Sequence, residues 1–309
     1  VEPLLDDITW DQNNPYNVKC PEVTQVNSWG VSTGKGPAAT GCVATGMGQI
    51  MYYHKWPAQG IGSVSYVSEG TDPEGKIEKV DVDVTLEGTV YNWDKMVPKL
   101  SSSSGDEAID AVSTLLFHAG AAFHSVYGYA SGAYDIDIPA AMIKHFNYDQ
   151  GINYVRRDFY STAEWFDMLT GELAASRPVG YGAVNGSGGG HFFVVDGINA
   201  EGYVHVNWGW SGDNNGYFLL TLLDPTPGSW YDTAFHYDQD MITGIRRPVD
   251  GSARCYNFSA ETIDALDTTV DRNASVSLKV NSLFNDSPND MTANLGFALF
   301  NTVGEAVYT

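Results

Sequence analysis

Gly41-Cys42-Val43-Ala44-Thr45-Gly46-Met47-Gly48-Gln49-Ile50-Met51 is the stretch on which the reading of this chain turns. Val43, Met47, Ile50 and Met51 recur at spacings of three and four, the period of a helix with one face in a core. Thr40 is placed to cap that helix, because its hydroxyl can take an orphan backbone N–H. Pro57 stops the run. A cysteine therefore stands in the first turn of a buried helix. A helix N-terminus carries about half a positive charge. That field favours thiolate over thiol and draws a cysteine pKa below its ordinary value of roughly 8.5. A free cysteine is also among the most buried residue types, so the stretch alone leaves open whether Cys42 reacts or only packs. A base elsewhere in the chain decides.

That base is His191. Ser187-Gly188-Gly189-Gly190-His191 is a glycine run ending in a histidine, and Phe192-Phe193-Val194-Val195-Asp196-Gly197 continues it as an apolar strand. Tyr203-Val204-His205-Val206-Asn207-Trp208-Gly209-Trp210 gives a second strand ending in an Asn-Trp pair. One cysteine, a histidine roughly 150 residues later and an asparagine beyond it is the order of the papain-like arrangement. Asp196 is the other candidate partner for His191. Five residues along one strand, however, turn it to the opposite face.

Composition narrows the rest. The chain has 309 residues, and 43% of them are hydrophobic, enough for one large domain or two moderate ones. Sixteen basic against 38 acidic residues give a formal charge of −22. Such a surface repels a phosphate backbone, which excludes nucleic acid as a partner. No run of 18 apolar residues exists, so no membrane span is expected. Three cysteines make no disulfide scaffold, although Cys20 and Cys255 are available to pair. The chain has no Cys-x-x-Cys and no His-Glu-x-x-His, so neither a metal nor a cofactor is expected. Asp213-Asn214-Asn215-Gly216 reads as a hairpin turn rather than a calcium loop.

The elements run helices first and strands second, which argues for an α+β fold. Gly60 to Trp93 alternates as short strands or a hairpin. Asp106 to His124 is helical, with Ile109, Val112, Leu116, Ala119 and Phe123 on one face. Tyr127 to Tyr134 is a flexible, aromatic loop. Asp137 to Phe146 is a short helix with Pro139 in its first turn. Ser161-Thr162-Ala163-Glu164 is a capping box opening another helix. After Pro178 come short strands, Val179 to Val184, Phe192 to Ile198, Tyr203 to Trp208, Tyr217 to Leu222 and Met241 to Ile245. Pro248-Val249-Asp250-Gly251-Ser252 looks like a boundary, dividing residues 1–248 from a β-rich extension or partial sandwich over 249–309. In that extension Ala274 to Phe284 and Leu295 to Phe300 read as strands.

Taken together, Ala39-Thr40-Gly41-Cys42-Val43-Ala44-Thr45, Tyr53-His54-Lys55-Trp56-Pro57, Gly189 to Gly197 and His205-Val206-Asn207-Trp208-Gly209-Trp210 resemble the streptopain family of secreted bacterial cysteine peptidases. Trp10-Asp11-Gln12-Asn13-Asn14-Pro15-Tyr16-Asn17 resembles the segment that opens the mature enzyme there. The resemblance runs from Val1 to about Pro248. It implies a papain-like, two-lobed fold, with a helical lobe carrying Cys42, a twisted antiparallel sheet or partial barrel carrying His191, and a cleft between them. The activity implied is a cysteine endopeptidase acting on protein or peptide substrates through an acyl-enzyme thioester. Cys42 is the implied nucleophile and His191 the base and acid. Gln12 and the Cys42 backbone N–H are the implied oxyanion donors. Asn207 and Trp208 are named jointly as the groups that set the imidazole, with Trp208 the better match. Gly189 and Gly190 let a peptide backbone come close, and Ser131 and Gly132 are read as a pocket wall. The resemblance also implies a precursor whose N-terminal prodomain blocks the cleft. No stretch here looks like one, so the expectation is a mature form, secreted, periplasmic or at the bacterial surface. A papain-fold acyltransferase or amidase using the same pair, and a non-catalytic binding module, are the rival readings.

Overall fold

The helix opened by Cys42, α1 (Cys42–His54), is buried on every side from Val43 to Met51, not on one face only. Two glycines permit this. A Cβ at Gly46 would lie 2.9 Å from the Phe192 ring, and one at Gly48 would collide with Leu116. The helix is capped differently from the sequence expectation. Gly41 is the N-cap residue, at φ 86° and ψ 150°, and no side chain caps. The Thr40 hydroxyl instead lies 2.7 Å from that of Thr45. A Cβ at Gly41 would approach the Ser131 carbonyl oxygen at 3.2 Å, so positive φ and crowding both require glycine there.

The computed structural model describes residues 1–27, 29–228, 232–266, 269, 271, 274–294, 296, 299–300 and 306–308. They fall into two units, Val1–Cys255 and Tyr256–Thr309. In the first, β1 (Glu22–Val26) and β2 (Ser32–Pro37) form a hairpin ahead of α1. A longer one, β3 (Ser63–Thr71) and β4 (Ile77–Thr85), follows it. Helix α2 (Asp106–Ala122) packs on α1. Helix α3 (Ile138–Phe146) carries Pro139 in its first turn. Helix α4 (Thr162–Ala174) opens with both bonds of the Ser161–Glu164 capping box in place. These are the four α-helices among the described residues.

The second half of this unit builds one antiparallel sheet from β5 (Asn153–Arg156), β6 (Val179–Asn185), β7 (Gly190–Ile198), β8 (Val204–Asn207), β9 (Gly216–Phe218) and β10 (Phe235–Thr243). Their spatial order is β5-β10-β6-β7-β8-β9. β5 and β9 are its two edges, so this is an open antiparallel sheet and not a closed barrel. Strand β7 sorts its side chains by the two-residue period of a strand. Phe192 and Val194 enter a core shared with α1 and α2, while Phe193 and Val195 enter a second core with Trp165 and Leu169 of α4 and with Trp208. Ile242 and Met241 of β10 divide in the same way. Burying side chains of this size contributes about 1.5–3 kcal/mol each.

The loop expected to be flexible is tied down. Val126 and Gly132 exchange backbone hydrogen bonds of 2.7 and 3.2 Å, and the Tyr127 N–H donates to Ser68 Oγ at 2.7 Å. Cys20 is a buried thiol and Cys255 Sγ lies 3.1 Å from the Gly151 carbonyl, so no disulfide joins them. The second unit contains the antiparallel pair β11 (Phe258–Ala265) and β12 (Leu278–Asn285). Of the strand expected at Leu295 to Phe300, Leu299–Phe300 is extended, while residues 295, 297 and 298 lie outside the described residues.

Candidate active site

Helix α1 delivers the Cys42 side chain, and the start of β7 delivers His191, to the walls of one cavity of about 240 Å³. Ser131, Gly132 and Gly190 line the same cavity. Gly189 does not. It lies in the β6–β7 turn, where its N–H donates to Asn185 Oδ1 at 2.9 Å and its carbonyl accepts from Asn185 at 2.9 Å. A larger cavity, about 500 Å³, runs past Asn13, Asn17, Gln25 and Tyr129 but contains neither Cys42 nor His191.

The imidazole of His191 is held by rings and by one hydrogen bond. Trp210 stacks on it at 4.7 Å and 23°, with Phe235 at 5.7 Å and Phe193 at 6.0 Å. The parallel Trp208 ring stands farther off, at 6.2 Å. His191 Nε2 lies 2.9 Å from the Trp208 carbonyl oxygen. A carbonyl only accepts, so Nε2 carries a proton and Nδ1 is left as the basic nitrogen. Trp208 is fixed in turn by the Asp213–Gly216 turn. Its backbone N–H donates to Asn215 Oδ1 and its indole N–H to the Asn214 carbonyl, both at 3.0 Å.

Asn207 is placed differently from its expected part. Its Nδ2 donates to the Ile8 carbonyl at 2.7 Å and its Oδ1 accepts the Gly209 N–H at 3.0 Å. Both ends of the carboxamide are thus engaged with backbone, and the group on His191 Nε2 is the main-chain carbonyl of Trp208. Asp196, the alternative partner, serves another histidine. It accepts from His205 Nδ1 at 2.6 Å and from the Leu5 N–H at 2.9 Å. Gln12 is half-buried, and its carbonyl accepts the Thr40 N–H at 2.9 Å, two residues ahead of the cysteine. Its loop is anchored on both sides of the cleft. The Trp10 N–H donates to Gln49 Oε1 of α1 at 3.0 Å, and the Ser211 hydroxyl donates to Asp11 at 3.0 Å.

Electrostatics run against the simple helix-terminus expectation. Burial pushes the Cys42 thiol up to about 11, and the nearby Asp135 carboxylate adds to the rise. Backbone N–H groups of Phe192, Val43 and Cys42 itself act the other way. Burial also draws His191 down to about 4, against the smaller opposing effect of the Trp208 carbonyl. Taken singly, each group is neutral near pH 7. Three contributors escaped the sequence reading: Trp210, Asp135 and Asp240. Trp210 had a signal in its place two residues after Trp208. The aspartates come from segments more than a hundred residues apart and had none.

A thiol on a helix start and an imidazole on a strand start thus face one cleft. The sequence pattern of the Peptidase C10 family matches residues 10–218. The chain is 35% identical over 247 residues to the thiol protease/hemagglutinin PrtT of Porphyromonas gingivalis, covering 79% of this chain and 27% of that protein. It is 34% identical over 251 residues to streptopain of Streptococcus pyogenes, covering 80% and 63%. It thus spans less than two thirds of the length of either relative. Among solved structures, active interpain A cysteine protease of Prevotella intermedia superposes with a TM-score of 0.66 at 36% identity, covering 79% of this chain and 94% of that one. A fragment of prointerpain A gives 0.64 at 35%, covering 79% and 72%. The chain belongs to the Peptidase C10 family.

Proposed function

We propose that this chain is a cysteine endopeptidase with a papain-like division of labour, its catalytic domain spanning residues 1–248. The observation that carries the reading is the convergence of Cys42 and His191 on one cavity. Cys42 Sγ attacks the peptide carbonyl carbon, forming a C–S bond. The C–N bond then breaks, and the imidazolium gives its proton to the departing amine. A water, deprotonated by the same imidazole, attacks the thioester and releases the carboxylic acid and the thiol. The Cys42 backbone N–H, in the first turn and without a helical acceptor, and the Gln12 carboxamide hold the oxyanion. Trp208 supplies the carbonyl that sets the imidazole, and Ser131, Gly132 and Gly190 border the bound peptide.

Burial opposes a lone thiolate and a lone imidazolium, but the active form makes both at once. Moving the proton from sulfur to imidazole leaves the pair neutral overall. Two unit charges about 4 Å apart attract by about 4 kcal/mol in a partly buried setting, and the helix N-terminus adds to this. The name prointerpain marks that relative as a pro-form. By analogy this chain derives from a precursor inhibited by an N-terminal prodomain and acts outside the bacterial cytoplasm. No helix among the described residues is long and apolar enough to cross a membrane.

The test is peptide hydrolysis under reducing conditions, native chain beside Cys42→Ala, with titration by a thiol-alkylating epoxide. Stoichiometric labelling of Cys42, with cleavage lost in the variant, is the expected result. Labelling without cleavage of any peptide favours acyl transfer. A Cys42 that stays unlabelled in folded protein favours a binding module.

A further inference from the structure

One group of side chains in the cleft takes no part in the chemistry above. Asp135, Asp238 and Asp240 line the cavity that holds Cys42 and His191, and no lysine or arginine does. The sheet register explains the position of Asp240. It pairs with Gly182, which pairs with Phe192, so Asp240 shares the face that Phe192 turns toward α1. A Cβ at Gly182 would lie 2.6 Å from Asp240 Oδ1 and would collide with Asp135 Oδ2. Two carboxylates therefore converge over one bare backbone atom.

Burial outweighs what answers their charge within the fold: Arg156 favours the Asp240 carboxylate only from a distance. Among the described residues no ion pair reaches Asp135, Asp238 or Asp240. Arg156, opposite Asp240 on β5, gives its guanidinium to Asp158 at 3.2 Å. The Tyr154 hydroxyl donates to Asp240 Oδ2 at 3.3 Å. Asp240 Oδ1 is buried and has no hydrogen-bond partner of normal geometry. Burial and the neighbouring Asp240 hold Asp135 well above the usual carboxylate range, and burial raises Asp240 to about 6. Two carboxyls this close, with no ion pair to either, share a proton between them.

We propose that Asp135 and Asp240, with the exposed Asp238, form a specificity pocket for a lysine or arginine side chain of the substrate close to the scissile bond. The inference rests on the peptidase reading. The cavity is smaller than the range typical of drug-sized ligands and suits a single side chain. A guanidinium or ammonium entering it replaces the held proton and meets the orphan oxygen. A glutamate at the same position meets like charge.

The test uses matched peptides carrying lysine, norleucine or glutamate at each position flanking the cleaved bond. At one position lysine should exceed norleucine in kcat/KM by about tenfold to a hundredfold, the range of a buried charge-assisted hydrogen bond, and glutamate should be worst. In Asp135→Asn/Asp240→Asn the lysine-to-norleucine ratio, read within the variant, should fall toward one. A ratio near one at every position of the native chain overturns the proposal, as does a preference that survives the double substitution. Calorimetric titration of the same peptides into Cys42→Ala, and into Cys42→Ala/Asp240→Asn, reads the pocket without turnover. Tighter binding of the lysine peptide to the first, lost in the second, supports it even if the double aspartate variant fails to fold. If Cys42 labels but no peptide is cut, the peptidase reading fails, and the calorimetry still decides the pocket.

Discussion

The seats of the two reactive groups are built by different means. Cys42 stands at the end of a helix onto whose backbone Phe192 and Leu116 press through Gly46 and Gly48. His191 is fixed by rings drawn from separate strands and turns, Phe193, Trp210 and Phe235, and by a carbonyl whose own residue is held by Asn214 and Asn215. The cysteine is positioned by steric exclusion, which leaves no slack. The histidine is positioned by stacking, which fixes the plane of a ring more firmly than its place within that plane. Damage on the cysteine side should therefore appear as lost stability, and damage on the histidine side as lost rate.

The sharpest way to break this contrast is His191→Gln. Peptide hydrolysis should fall by roughly 10²–10⁴-fold, the usual worth of a positioned acid–base. Without the imidazole no ion pair opposes the burial of Cys42, so the midpoint for its alkylation should move upward from that of the native chain. A midpoint that stays put means the thiol never depended on His191. Next comes Phe192→Ala. Its ring fills the space between Gly46 and Gly180, where added Cβ atoms would lie 2.9 and 2.5 Å from it. Emptying that space should cost about 3–5 kcal/mol in urea unfolding. A loss below 1 kcal/mol would show that the helix–sheet contact is not what holds Cys42.

Asn207→Ala sharpens the comparison, because it separates a stabilising role from an orienting one. It leaves the Ile8 carbonyl and the Gly209 N–H without their partners, which should cost about 1–3 kcal/mol in thermal or urea unfolding. The pH profile of alkylation should not shift. A shifted profile at unchanged stability would restore the orienting role. The smallest expected effect is that of Trp210→Ala. An aromatic pair contributes about 0.5–1.5 kcal/mol beyond its area, so kcat should drop about two- to tenfold with KM and stability little changed. A fall in stability instead, with kcat intact, would make Trp210 packing only.

The same contrast explains what was legible in the sequence. Cys42, α1, α2 and the Ser161 capping box rest on spacings of three and four within single stretches, and each could be read directly. Even there the cap is Gly41 and not Thr40, and the crowding that calls for glycine at 41 comes from the distant Ser131 carbonyl. The order cysteine, histidine, asparagine pointed to His191. The task given to Asn207, by contrast, depended on which backbone came within its reach, and that is Ile8, on the far side of the sequence. Asp135 and Asp240 carried no local mark at all. They meet only because β10 lies beside β6 and places Asp240 next to a residue without a side chain.

One consequence of strand β7 concerns cooperativity. It sends Phe192 and Val194 into one core and Phe193 and Val195 into the other, so neither core can dissolve while its half of the strand remains. A chain with a separate strand for each core would have a seam along which one half could open alone. Residues 1–255 have no such seam through β7. They should unfold in a single transition, with the amides of β7 among the last to exchange with solvent, and the Cys42–His191 arrangement should be lost in the same step as the fold.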